Sequence, residues 1–345
     1  MIHMPNRISQ ILSLWEPQKD QLDWVLGTVI GTHGPSYRNT GAMMMINSLG
    51  QSYGLLSGGC LEADITHHAR KVIQSGESKQ VTYDALDEDS AWLLGIGCGG
   101  KVEILLQPIG IENHYQQLDK ILESILQNQS CFYTLNIDNT DNSINSISLV
   151  EEQPATGYLQ IPIKPDPNLV IFGGGLDAIP VANMAHEMGW KTHLIDHRVT
   201  HARTHHFNHA TSIHRQKPSE ILNQLDQNSS SQNYQWLLQS DAAIVMSHNL
   251  TQDAEALNLL SSLQKNRLQY IGLLGPESRK QKVLLMANLN EALLPTMLHG
   301  PMGLDIGGEL PESIALSILS EIHAVLEDKT VILETKSSRI LGSIE

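Results

Sequence analysis

The stretch that most constrains this chain runs from Leu169 to Asp196. Leu169-Val170-Ile171-Phe172 is an unbroken apolar run and reads as a strand buried on both faces. It runs into Gly173-Gly174-Gly175. Ile179, Val181, Ala182, Ala185 and Met188 then recur at helical spacing, and Gly189 supplies a stop. Lys191 to Ile195 forms a second strand that ends in an acid, Asp196, which lies 21 residues beyond Gly175. Strand, glycine turn, helix, strand and acid make up a dinucleotide-binding half, with Gly173, Gly175 and Ala178 in the fingerprint positions. A phosphate would rest on the helix N-terminus, and Asp196 would take a ribose hydroxyl. The alternative is the same fold with an empty or repurposed crevice, because a fold does not fix a function.

The segment after Asp196 continues in the same style. Ala242 to Met246 is a buried strand ending at Ser247-His248-Asn249, and Tyr270 to Gly275 is another, leading to Pro276-Glu277-Ser278-Arg279-Lys280. Polar groups at strand C-termini line the ligand crevice of such sheets. The last motif, Gly300 to Pro311, holds Gly303, Asp305 and Glu309, and its carboxylates either serve a site or shape the loop. Pro311 opens a helix, where its missing N–H is harmless. Residues 169–345 are therefore expected to form a Rossmann-like, doubly wound parallel-sheet domain. Pro154, Pro162, Pro165 and Pro167 mark 153–168 as a stiff linker.

Residues 1–152 are expected to form an α+β domain. Trp24 to Ile30 reads as a buried strand, followed by a loop, Gly31 to Gly41, with hydroxyls and Arg38, a side chain suited to phosphate or a heterocycle edge. Ala42 to Ile46 and Gln51 to Leu55 suggest a hairpin, with Met43-Met44-Met45 as core filling rather than metal ligands. Glu112 to Gln127 has the pattern of an amphipathic helix, with Tyr115 on its apolar face. Cys131 to Ile137 and Ile144 to Val150 read as strands, with Cys131 in the core.

The chemistry of this domain concentrates in Gly54 to Glu62. Ser57, Gly58 and Gly59 precede Cys60, and Leu61, Ile65, Ala69 and Val72 then recur at helical spacing. Bare glycine backbone plus a helix start exposes N–H donors and partial positive charge, which favours thiolate. Glu62, in the same first turn, opposes that. The plain alternative is a tight turn with a small buried cysteine. A second glycine-rich loop carries Cys98, Gly99 and Gly100 into a strand.

A formal net charge of −15 argues against nucleic acid and anionic membranes as partners. No apolar run reaches membrane length and no signal peptide is evident, so a cytoplasmic location is expected. Three cysteines without C-x-x-C spacing suit neither a disulfide framework nor structural zinc. His197, His201, His205 and His209 recur every four residues, which on a helix would align them on one face, either as a metal site or as a solvated, pH-sensitive surface.

Taken together, these motifs resemble the XdhC/CoxI family of accessory proteins for xanthine dehydrogenase and related molybdenum hydroxylases. The resemblance rests on Gly34 to Met43, Ser57 to Glu62 and Gly97 to Gly100 in the first domain. In the second it rests on Phe172 to Gly175, Asp196-His197-Arg198, Ser247-His248, Gly272 to Gly275 and Pro301 to Gly307. It implies a chaperone that binds molybdenum cofactor (molybdopterin), protects it and delivers its sulfurated form to an apo-hydroxylase, with a cysteine desulfurase as second partner and a homodimer as the working form. Soft thiolates prefer sulfur-rich partners, so Cys60 and Cys98 become the metal-side candidates. Arg38, Ser57, Gly58, Gly59, Glu62, Gly99 and Gly100 complete the first-domain set. Gly173, Gly174, Gly175, Asp177, Asp196, Arg198, His248, Gly303 and Asp305 form the second-domain set, where NAD(P) or another nucleotide is a further expected ligand. The competing function is an NAD(P)-dependent oxidoreductase built on the Rossmann domain.

Overall fold

The computed structural model describes residues 6–84, 100–138, 144–227, 231–264 and 267–329. The chain divides into two compact units, Met1–Pro165 and Asp166–Glu345.

The first unit is built on an antiparallel sheet of order β3-β2-β1-β5-β4, with β1 Trp24–His33, β2 Met43–Asn47, β3 Ser52–Gly54, β4 Lys79–Asp84 and β5 Lys101–Ile109. The methionine run shows how the sheet divides its two faces. Met44 joins Val25, Leu61 and Ile65 in the core beneath helix α2, Glu62–Ser75. Met43 and Met45 point the other way, alternating as strand residues must, into a core shared with α1 Ile8–Trp15 and α3 Leu118–Leu126. Gly76, with φ of 71°, ends α2 in the left-handed conformation that glycine tolerates.

Two expectations are corrected in this unit. The helix read over 112–127 begins only at Leu118, because His114 to Gln117 all take positive φ, and Tyr115 instead donates its hydroxyl to Asp20. The proline-rich stretch is not simply a connector. Tyr158–Ile163 is a strand, β8, which joins β6 Cys131–Asn136 and β7 Ser146–Ser148 in a small sheet of order β7-β6-β8. Pro162 is tolerated there because β8 is an edge strand, where a missing N–H costs no ladder bond on the open side. Cys131 is buried, as its strand setting suggested, and burial pushes its thiol pKa up.

The second unit is a parallel sheet of order β11-β10-β9-β12-β13-β14, formed by β9 Asn168–Phe172, β10 Lys191–Ile195, β11 Ser212–His214, β12 Ala242–Val245, β13 Tyr270–Leu273 and β14 Leu298–His299. Helix α4 Ala178–Glu187 and helix α8 Pro311–Leu326 share one core with the sheet, while α5 Pro218–Asp226, α6 Leu250–Ser261 and α7 Glu277–Ala287 enclose the other. The strand order reverses between β9 and β12, and that switch point opens the crevice where doubly wound sheets bind ligands. The region after β10 is not a helix. His201 to His209 form successive turns anchored by buried Ala202 and Phe207, so the four-residue histidine spacing makes no shared face. Among the described residues no group of three or more His, Cys, Asp or Glu side chains could hold a metal ion. No described helix is long and apolar enough to cross a membrane.

Candidate functional site

The glycine–cysteine turn is held by one hydroxyl. Ser57, itself 5% exposed, donates from Oγ to Glu62 Oε2 at 2.5 Å, while its backbone N–H donates to Glu62 Oε1 at 2.9 Å. The same Oγ accepts the Leu61 N–H at 3.1 Å and the Gly59 N–H at 3.3 Å. The Cys60 thiol lies 3.7 Å from that oxygen and is exposed, just before α2 begins. The arrangement changes the meaning of Glu62. Its carboxylate turns back onto Ser57 and closes the loop, instead of standing as a bare anion against the thiol.

Around the thiol, Pro35, Tyr37, Ser57, Gly58, Tyr83 and Gly100 line one cleft. Gly100 is there for space. A Cβ on it would stand 2.1 Å from the Pro35 carbonyl oxygen, so only glycine lets the start of β5 lie against the 33–35 loop. Tyr37 is 60% exposed, and its ring covers Gly58. Tyr83 donates to Asp64 on α2 at 2.8 Å, and burial together with that bond holds the phenol well above its ordinary pKa. Cys98 and Gly99 lie outside the described residues. Arg38, on the loop beside Tyr37, is half-buried.

In the second unit the expected crevice forms, but its acid is engaged. Asp196 Oδ2 accepts the Gly174 N–H at 2.9 Å and Arg198 Nη2 at 2.6 Å, and Oδ1 accepts the Arg198 N–H and Nε, each at 2.9 Å. Its side chain is fully buried. Burial alone would raise the carboxyl pKa; the bonds from Arg198 and Gly174 outweigh it and hold the group below its ordinary value. A ribose diol would therefore have to compete with Arg198 and Gly174 for the carboxylate of Asp196. The glycines serve packing as well. A Cβ on Gly173 would lie 2.5 Å from Ser247 Cα, and one on Gly174 would lie 2.8 Å from the His201 carbonyl oxygen. Gly175 stays open, with only His248 near at 3.8 Å.

His248 takes a positive φ of 58° and places Nε2 2.9 Å from Asp177 Oδ2 at the start of α4. Three residues absent from the expected set, Ser247, Asp253 and Arg279, complete the crevice. Asp253, 1% exposed, accepts Ser247 Oγ at 2.5 Å, Ser247 N–H at 3.3 Å and Arg279 Nη2 at 2.5 Å. Their signal was present in the sequence, as polar residues just after β12 and β13, but nothing there paired one with the other. Gly303 lies apart from this group. Its N–H donates to Glu321 on α8 at 2.6 Å, a carboxylate that also accepts Tyr270 Oη at 2.6 Å and pairs with His299 Nδ1 at 2.9 Å. Asp305, further along that loop, is exposed.

The comparisons agree over both units. Residues 169–322 match the XdhC Rossmann domain, and residues 18–84 match the XdhC and CoxI family. A Bacillus subtilis (strain 168) protein, named as a probable component of xanthine dehydrogenase, is 28% identical over 88% of this chain and 93% of its own length. The Escherichia coli (strain K12) "Molybdenum cofactor insertion chaperone PaoD" is 24% identical over 87% of this chain and 83% of its own. The crystal structure of a xanthine dehydrogenase from Bacillus halodurans superposes with a TM-score of 0.76 at 26% identity, covering 97% of this chain and 98% of that one.

Proposed function

The chain belongs to the XdhC and CoxI family, and on that premise we propose that it binds molybdenum cofactor, protects it and delivers it to an apo molybdenum hydroxylase such as xanthine dehydrogenase. The observation that carries this reading is the exposed Cys60 thiol on a glycine loop that Ser57 and Glu62 lock in place. Molybdenum cofactor is a pterin dithiolene bearing a phosphate. A soft thiolate on a fixed loop suits its metal–sulfur end. The open backbone at Gly59, where no atom lies within 4 Å of a Cβ position, leaves room for close approach. Tyr37 lies over Gly58 and must yield to a bound pterin or stack on it. The finer steps belong to the same proposal: the cargo travels sulfurated, a cysteine desulfurase supplies that sulfur, and a cytoplasmic homodimer does the work, with Cys98 as a second thiol. Arg38, the one expected cation of this unit's site, would meet the cofactor's anionic end.

The nicotinamide alternative finds no support in the crevice, where Asp196 is already bonded to four protein donors.

The test is anaerobic binding of isolated molybdenum cofactor to the full chain and to Cys60→Ala. Pterin is read by its fluorescent oxidation product and metal by elemental analysis. Stoichiometric binding that falls at least tenfold in the variant is expected. Equal binding by both would remove Cys60 from the site, and no binding by either would end the chaperone reading.

A further inference from the structure

At the switch point between β9 and β12, two arginines converge on one turn. Arg198 reaches the Ser247 carbonyl oxygen at 3.3 Å from Nη2, and Arg279 reaches Asp253, whose other oxygen holds the Ser247 hydroxyl and N–H. Neither guanidinium is fully committed. Arg198 commits Nε and Nη2, and Arg279 commits Nη2; among the described residues their remaining N–H groups have no protein acceptor. Both side chains keep part of their surface open, 27% for Arg198 and 24% for Arg279. A guanidinium fixed by a buried carboxylate presents its remaining N–H groups in a set direction, where phosphate oxygens can accept from them. His248, 57% exposed, stands beside them over Gly175.

The same pairing closes the place where a nucleoside would sit. Both Asp196 oxygens are filled, and the His201–Ala202 backbone covers Gly174. We propose that Arg198 and Arg279 form a seat for a terminal phosphate or pyrophosphate group, and that Arg198, by occupying Asp196, makes this crevice reject adenine dinucleotides. The carboxylates cancel much of the net charge, so the seat selects by hydrogen-bond geometry rather than by long-range attraction. The ligand class is a phosphate ester whose remainder makes no ribose contact at β10. The assignment concerns the second unit alone and stands or falls separately from Cys60.

Titration calorimetry of the full chain with sodium pyrophosphate and with NAD+ tests it. Wild type is expected to bind pyrophosphate at least tenfold more tightly than NAD+. Arg279→Gln, which keeps a donor for Asp253, should weaken pyrophosphate binding at least tenfold while circular dichroism shows the fold intact. His248→Ala, at an exposed position, should weaken it about threefold, and it decides the matter should Arg279→Gln fail to fold. Arg198→Ala should lose pyrophosphate and gain NAD+ affinity at least tenfold by freeing Asp196. Unchanged pyrophosphate binding in folded Arg279→Gln or in His248→Ala, or NAD+ binding to wild type as tight as pyrophosphate, would overturn the proposal. Molybdenum cofactor binding lost in Cys60→Ala with pyrophosphate binding intact supports both assignments; loss of the pyrophosphate seat alone leaves the Cys60 reading standing.

Discussion

Ser57 sets the position of the Cys60 thiol through a single oxygen that donates to Glu62 and accepts from Gly59 and Leu61. Ser57→Ala strands two N–H groups and one carboxylate oxygen, a loss of about 1–3 kcal/mol. The expected result is a lower urea midpoint and a change of at least threefold in the alkylation rate of Cys60. Peptide mass spectrometry separates that rate from those of Cys98 and Cys131. An unaltered rate would show that the hydroxyl does not place the thiol. The two glycines between them should behave differently. Gly59 has φ of 106° with nothing within 4 Å of a Cβ position, so Gly59→Ala carries only backbone strain, about 1–3 kcal/mol. Gly58 has no such φ, and a Cβ there would meet the Tyr37 ring at an ordinary 3.4 Å, so Gly58→Ala should shift the urea midpoint far less. Sequence showed the glycines, the cysteine and the helix that follows. It could not show that Glu62 folds back five residues to Ser57, because that spacing belongs to no helical or capping pattern.

The edge of the parallel sheet illustrates what spacing alone cannot resolve. The histidines that mattered were not the evenly spaced ones. His193 on β10 and His214 on β11 both hydrogen-bond one hydroxyl, Ser212 Oγ, at 2.6 Å each, and both rings stack on Trp236. This pairing needs strand register, with His193 opposite Ser212, and no local pattern encodes it. By contrast β9, the glycine turn, α4 and β10 were all readable, because each is a local signal and they follow one another without interruption. Burial first, then His214, depresses His193 from 6.5 to about 4. A histidine kept neutral in the fold but protonated in the unfolded chain contributes stability that is complete above the unfolded value. That contribution is lost as pH falls from 6.5 toward 4. Burial moves His214 in the same direction. Urea unfolding should therefore show about 1–2 kcal/mol less stability at about pH 5.5 than at about pH 7.5 from this pair. His193→Gln should flatten the difference, and an equal pH dependence in the variant would place its origin elsewhere.

On the proposed function, a chain of net charge −15 would meet an anionic cofactor against its own field. The arginines of the two candidate sites do little to reverse that field at a distance. Arg198 and Arg279 are each matched by a buried aspartate, and Arg38 is one charge on one loop. At low ionic strength the approaching phosphate is repelled by the whole molecule; at higher salt the Debye length shrinks to about 8 Å, and only the groups at the site are felt. The association rate of molybdenum cofactor should therefore hold or rise, up to about twofold, between roughly 20 and 200 mM salt, while dissociation changes little. Stopped-flow pterin fluorescence under anaerobic conditions measures both. A rate that falls steeply with salt would mean that a local basic surface steers the ligand, with cations beyond these arginines contributing. The same charge fits a carrier that must release its load. Under the proposed function, binding through a thiol and hydrogen-bond geometry, with no long-range electrostatic pull, would let the cofactor leave once a client site offers better ligands.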